Sequence, residues 1–315
     1  HVLVLDFKSL YPSIIRTFCI DPMGLVEGLQ HPEQAIPGFR GALFSRERHF
    51  LPDLIATLWA ARDRAKAASN KALSQAIKII MNSFYGVLGS GGCRFYDPRL
   101  ASSITLRGHG IMQQTREWIE AKGFEVIYGD TDSTFVHLNR ETSPQQAEQT
   151  GRELAAMIND NWTALIRREF DLPCYLEIEY ETHYRRFLMP TIRGLEKGSK
   201  KRYAGLVGEG EGEHLVFKGL ETVRTDWTPL AKAFQTRLYE MVFHDQDPSS
   251  YVRTMVDETR AGRHDDLLIY RKRLRQKLEE YQKNVPPHVR AARLADEENL
   301  RRGLPQRYQH RGTIA

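Results

Sequence analysis

Three aspartates form a set that could do chemistry. Asp130 and Asp132 lie in residues 124–138, FEVIYGDTDSTFVHL, where two runs of β-branched and aromatic residues flank Gly129-Asp130-Thr131-Asp132. That pattern is a β-hairpin carrying two carboxylates at its tip. Asp6 closes the apolar run HVLVLDF at residues 1–7, which reads as a buried strand. Carboxylates brought together repel one another unless cations bind between them. Hard oxygen ligands that leave room for phosphates suit Mg²⁺, and a pair of such ions stabilises the attacking and leaving oxygens of phosphoryl transfer. Each acid alone has a plainer explanation. Asp at a hairpin tip often only makes the turn, and Asp after a strand often only caps the next helix.

The segments between the acids supply cations. Residues 52–69 read as a helix with Leu54, Ile55, Leu58 and Trp59 as its apolar stripe, and Arg62 and Lys66 share a face four residues apart. A short Ser69-Asn70 break leads into a second helix over 72–88, so the two should run antiparallel. In the second, Leu73, Ile77, Ile80 and Phe84 make one stripe, and Lys78, Asn82 and Tyr85 lie on another face. Converging cations and an aromatic plate would bind a triphosphate and stack a base. An exposed amphipathic helix pair is the plainer alternative.

Other elements frame this set. After Asp6, Pro12 can start a helix whose Ile14 and Ile15 pack inward, and the free N–H groups of its first turn suit phosphate. Gly89-Ser90-Gly91-Gly92 is a turn rather than a phosphate loop, because it follows a helix and no Gly-Lys-Ser/Thr comes after it. Asp97-Pro98 opens a long helix that Gly123 stops, with Leu100, Ile104, Ile111, Trp118 and Ile119 against a sheet. Gly108 and Gly110 weaken that helix by about 1 kcal/mol each and would permit close packing. Ser143-Pro144 starts another helix, to about residue 170. Strand-like runs follow at 175–180, with Glu177 and Glu179 on one face, and at 186–190, 201–207 and 215–218. From Thr228 the pattern is helical through 230–243, 251–260 and 267–281, and no closing element is expected at the end.

The chain's 315 residues can hold two or three subdomains. No apolar run approaches a membrane span, and three scattered cysteines make neither a disulfide framework nor a zinc motif, which suits a reducing cytoplasm. The chain starts directly on a strand-like run without Met and reads as a piece of a longer protein. Net charge is +5, and residues 263–315 hold 13 Lys+Arg against 7 Asp+Glu while the rest hold 32 against 33. The basic surplus thus sits at the distal end and suggests a polyanionic partner, although a solvated helical face would show the same pattern.

Four segments, in order, resemble the motifs of B-family DNA polymerases: DFKSLYPSII at 6–15, KIIMNSFYG at 78–86, YGDTDS at 128–133 and KKRYAGL at 200–206. The wording of DFKSLYPSIIRTF and NVPPHVRAARLADEEN is most similar to the bacterial DNA polymerase II branch. The resemblance implies an α+β fold: an antiparallel-sheet palm (residues 1–50 and 91–227), a two-helix antiparallel fingers insertion (51–90) and a mainly helical thumb (228–315, truncated). It implies template-directed DNA synthesis with two Mg²⁺, for which Mn²⁺ can substitute. Asp6 and Asp132 would be the principal metal ligands, Asp130 would support them at the rim, and Phe7 would add its carbonyl. Ser9, Leu10 and Tyr11 would line the dNTP, with Tyr11 as the steric gate against a ribose 2′-OH. Arg62 and Lys78 would hold phosphates, assisted by Lys66 and Asn82, and Lys78 could protonate pyrophosphate. Tyr85 and Gly86 would floor the nascent base pair, Thr131 would touch the primer, Lys201 and Tyr203 would track the duplex, and Arg290 would lie near duplex phosphates. Glu179 would be an additional acid near the metals.

The same resemblance implies primer–template DNA and dNTPs as partners, a sliding clamp reached through segments outside this chain, no membrane, and a cytoplasmic, nucleoid-associated location in DNA repair or replication restart. The family's N-terminal and 3′–5′ exonuclease domains would precede Asp6 and are not in the chain, so proofreading would be missing from it. Two other functions fit the residues: a DNA-binding protein with an idle site, and a metal-dependent phosphohydrolase or nuclease using the same acids.

Overall fold

A computed structural model describes residues 1–191 and 201–314 of the chain. Lys200 of the basic cluster and Ala315 lie outside the described residues. The chain divides into two compact units, His1–Arg185 and Arg186–Ala315. It is an α+β fold whose strand pairs are antiparallel.

In the first unit the uninterrupted apolar run of β1 (Val2–Phe7) makes a buried central strand. Ser9, at φ 49°, turns the chain into α1 (Leu10–Thr17), where Pro12 sits in the first turn and Ile14 and Ile15 are buried. Helix α2 (Pro22–Gln30) leads to the short antiparallel pair β2 (Ile36–Pro37) and β3 (Leu43–Phe44). Asp21, almost fully buried, caps α2 through the Gly24 N–H at 2.7 Å. Its other oxygen accepts from the N–H groups of Phe50 and Leu51 at 3.1 and 2.8 Å, so one carboxylate also fixes the root of α3 (Leu51–Ala67).

Helices α3 and α4 (Lys71–Leu88) pack on each other across a tight connection, with Ser69 at φ 53° and Asn70 capping the Leu73 N–H. Their apolar stripes differ from expectation. Ile55 and Ile77 are buried, but Leu54, Leu73 and Ile80 are 47–49% exposed, and Met81 and Leu88 are buried instead. Amphipathic spacing marks an apolar face without showing that anything covers it.

Asp97 caps α5 (Pro98–Ala121), which buries Leu100, Ile104, Ile111 and Ile119 and ends before Gly123 at φ 85°. The acidic hairpin follows as β4 (Glu125–Asp130) and β5 (Ser133–His137). A capping box at Ser143 opens α6 (Pro144–Phe170), joined to α5 by the Trp162 indole N–H donating to Thr115 Oγ1 at 3.1 Å. The side chain of Asn159 on α6 bonds both backbone groups of Ile178, each at 2.9 Å, and so fixes the start of β6 (Ile178–Leu188). The two separate runs expected at 175–180 and 186–190 are corrected here: one strand spans Ile178–Leu188, and Glu177 stands outside it. Within this unit the strands lie in the order β4-β5-β1-β6, which places β1 between the acidic hairpin and β6.

In the second unit β7 (Tyr203–Val207) and β8 (His214–Lys218) form a hairpin. Helix α7 (Pro229–Phe243) sends Phe243 into a cluster with Ala204, Leu206 and Leu220, and α8 (Ser249–Arg260) follows. The expected helix over 267–281 is corrected: the segment contains β9 (Lys272–Leu274) flanked by single 3₁₀ turns. The chain also does close on an element. After α9 (Pro287–Arg301), β10 (Gly312–Ile314) pairs with β9. Leu274, Leu278, Val289, Ala292 and Ile314 form the buried cluster that overrides the local helix propensity. No helix among the described residues is long and apolar enough to cross a membrane.

Candidate active site

Register brings the acids together. In the β1–β5 ladder Asp6 faces Ser133, the residue after Asp132, and the Ser133 hydroxyl donates to Asp6 Oδ1 at 2.6 Å. The Phe7 N–H donates to the Asp132 carbonyl at 2.9 Å, tying the end of β1 to the hairpin tip. The tip is tight: Asp130 pairs with Ser133, leaving only Thr131 and Asp132 in the loop. Thr131 stands at φ 51°, and the Asp132 N–H reaches back to the Asp130 carbonyl. This is a γ-turn with a β-branched residue in the left-handed region, a costly conformation that surrounding structure must hold.

Burial, and next the Asp6 carboxylate, pushes the Asp132 carboxyl up to about 6. The backbone around Asp132 opposes this rise, Asp130 adds to it, and the Lys78 charge opposes it. Asp132 therefore senses Asp6, Asp130 and the helical cation together. A half-buried carboxyl whose proton affinity is raised by burial and neighbouring carboxylates, in a set offering only hard oxygen donors, fits a divalent cation. Asp6, Asp132 and the Phe7 carbonyl are the donors that would hold it, with Asp130 at the rim. Among the described residues, no three His, Cys, Asp or Glu side chains already converge as a ligand set.

On the other flank of β1, the sequence reading named Glu177 and Glu179 but not the ion pairs they make with Lys8. Glu179 on β6 is the register partner of Asp6. The Lys8 ammonium, however, lies 2.6 Å from Glu177 and 3.1 Å from Glu179. The Glu177 hydrogen bond foremost holds the Lys8 pKa above its ordinary value. Glu179 is thus beside Asp6 in the sheet but paired to Lys8. Strand alternation could have signalled this pairing only once the β1–β6 register was known.

The residues expected on the nucleotide side lie on or beside α1, α3 and α4. Ser9 precedes the first turn of α1, and its buried hydroxyl finds no hydrogen-bond partner among the described residues. First-turn N–H groups lack intrahelical partners as well, so this corner is suited to an anion. Tyr11 on α1 meets Tyr85 on α4, ring centroids 4.8 Å apart and planes at 57°. Leu10 is buried. Arg62 is half-buried with its Nε unpaired, and Lys66, Lys78 and Asn82 are exposed on the two long helices. Gly86 faces open space.

In the second unit, Lys201 is exposed at φ 62°, Tyr203 is buried with its ring 5.3 Å from Phe187, and Arg290 is exposed with its Nε donating to the Val285 carbonyl at 3.2 Å.

Comparison with known proteins shows the family. Residues 1–309 match the family model described as DNA polymerase family B. The chain is 61% identical over 315 residues to DNA polymerase II of Escherichia coli strain K12, covering 99% of this chain and 40% of that protein. It is 31% identical over 311 residues to a DNA polymerase of Thermococcus gorgonarius, covering 93% and 37%. The fold is similar to the family B DNA polymerase from the hyperthermophilic archaeon Pyrobaculum calidifontis, with a TM-score of 0.60 and 28% identity over 99% of this chain and 39% of that one. The chain spans about 40% of the length of the curated relatives it matches.

Proposed function

The chain belongs to DNA polymerase family B, and from that premise we propose that it carries a site of template-directed DNA synthesis. In this reaction a primer 3′-OH attacks the α-phosphate of a dNTP and pyrophosphate leaves. The observation that supports this most is the joining of Asp6 and Asp132 through adjacent strand ends, with Asp6 four residues before a helix whose Tyr11 touches Tyr85. A hydrolase needs the acids but has no use for a sugar gate.

Two Mg²⁺ ions bound there, with Mn²⁺ as a substitute, would activate the hydroxyl and stabilise charge on the departing oxygens. The protein's own groups do the rest. Asp6 and Asp132 hold the ions, Asp130 tunes Asp132 from the rim, and Ser133 fixes the orientation of Asp6. The first turn of α1 and the Ser9 hydroxyl receive phosphate, and Arg62, Lys66, Lys78 and Asn82 bind its outer oxygens. Lys78, whose charge already reaches Asp132, gives a proton to pyrophosphate. Tyr11 excludes a 2′-OH, and Tyr85 and Gly86 form the surface against which the new base pair is checked. Thr131 touches the primer end, while Lys201, Tyr203 and Arg290 contact duplex backbone. Residues 1–50 and 91–227 act as palm, 51–90 as fingers and 228–315 as part of a thumb. The whole protein works on primer–template DNA in a bacterial cytoplasm, at the nucleoid, with a sliding clamp, in repair or replication restart.

The test is template-coded insertion by the full-length protein with Mg²⁺. Each of the four template bases should draw its complementary dNTP. Insertion indifferent to the template base would contradict the proposal.

A further inference from the structure

The ring of Tyr11 is bounded by two different helices. One contact is Tyr85 of α4. Another is Gly108 of α5, which is buried and carries no side chain. A Cβ at Gly108 would lie 3.4 Å from Tyr11 Cε1, 3.5 Å from Ile14 Cδ1 and 3.9 Å from Leu10 Cδ2. Gly110, two residues on, would meet nothing within 4 Å. The two glycines of α5 therefore differ, although both are expected from sequence to permit close packing.

Nothing in the backbone calls for glycine at 108. It is inside a regular helix and outside the left-handed region. Glycine there weakens the helix by about 1 kcal/mol relative to alanine. The space behind Tyr11 accepts a methyl group at ordinary contact distance. A valine would add carbons about 1.5 Å beyond that methyl, inside contact with the ring and with Ile14, and a packed core does not absorb such atoms without moving a neighbour. Ile14 is fully buried and Tyr11 is only half-buried, so the ring is the neighbour able to yield.

We infer that Gly108 is a positioning residue for sugar selection: the missing side chain sets how far the Tyr11 ring can retreat from the incoming nucleotide. This rests on the reading of Tyr11 as the sugar gate. Tyr85 of α4, the helix that carries proposed nucleotide-binding groups, touches the gate. Gly108 of α5, which is neither a proposed metal ligand nor a proposed phosphate ligand, borders it as well.

The experiment is single-nucleotide insertion by the full-length protein, comparing dNTP with rNTP for wild type, Gly108→Ala, Gly108→Val, Tyr11→Ala and the Tyr11→Ala/Gly108→Val double variant. Gly108→Val should shift the deoxy-to-ribo discrimination ratio by about tenfold, and Gly108→Ala by less than about threefold. In the Tyr11→Ala background the valine effect should vanish, because the ring it presses on is gone. Circular dichroism and thermal melting establish that each variant is folded. Should the valine variant not fold, Gly108→Ser carries the same expectation at about threefold. An unchanged ratio in folded Gly108→Val or Gly108→Ser, or a shift that persists without the Tyr11 ring, would overturn the inference while leaving the gate intact. A Tyr11→Ala variant with unaltered discrimination would remove the gate itself, and this inference with it.

Discussion

Ser133 and Asp6 face each other across the β1–β5 ladder, and the serine hydroxyl holds one carboxylate oxygen of Asp6 at 2.6 Å. The partner strand thus fixes the orientation of an acid at the end of a buried strand. Groups that orient a metal-binding carboxylate typically matter ten- to a hundredfold. Ser133→Ala should therefore lower the insertion rate by about tenfold or more, with melting temperature little changed. An unchanged rate at limiting Mg²⁺ would mean that Asp6 is held by other contacts.

Asp132 gives a pH signature. Its carboxyl is pushed up to about 6 from an ordinary 3.8, burial and Asp6 being the main causes. Over that interval the folded chain holds its proton more tightly than the unfolded chain, so stability falls as pH rises and the loss is complete above about 6. In EDTA, Asp132→Asn should melt higher than wild type at pH 8, by about 1–2 kcal/mol after allowance for partial solvent screening. The advantage should shrink as pH drops towards 4. Equal melting at pH 8 would show that the charge carries no penalty. The reverse trend would place the strain elsewhere.

Tyr11 is half-buried against Tyr85, and its removal opens the space a ribose hydroxyl needs. Tyr11→Ala should raise ribonucleotide insertion relative to deoxyribonucleotide by on the order of 10–100-fold. Steady-state insertion with matched dNTP and rNTP measures this. Unaltered sugar selectivity removes Tyr11 from the gate.

Asp21 predicts a coupling between stability and nucleotide affinity. Almost fully buried, it accepts from Gly24, Phe50 and Leu51. Asp21→Ala strands these N–H groups at the root of α3 and should cost on the order of 2–4 kcal/mol. Because α3 carries Arg62 and Lys66, KM for dNTP should rise more than kcat falls. Loss of stability without any change in KM would show that the root of α3 does not set its distal cations.

Much of the site was legible because strand alternation and turn chemistry are local. HVLVLDF reads as a buried strand, and GDTDS reads as a turn between two β-rich runs. Asp97-Pro98 and Ser143-Pro144 mark helix starts that the structure keeps. What was not legible depended on partners distant in sequence. Leu54, Leu73 and Ile80 fall on the apolar stripes of their helices, yet each is about half exposed. Residues 267–281 have helix-favouring composition, but pairing of Lys272–Leu274 with Gly312–Ile314 wins. The pairing of Lys8 with Glu177 and Glu179 follows from the β1–β6 register, and the unequal roles of Gly108 and Gly110 follow from how α1 packs against α5.

The central claim is that Asp6 and Asp132 together support nucleotidyl transfer. It is tested most directly by primer extension with Mg²⁺ and dNTPs using the full-length protein and its Asp6→Ala/Asp132→Ala variant, with primer–template binding measured in parallel. The account predicts extension by the wild type and none by the variant at equal DNA affinity. Extension that survives loss of both acids, or a wild type that binds DNA tightly and extends nothing, would contradict it.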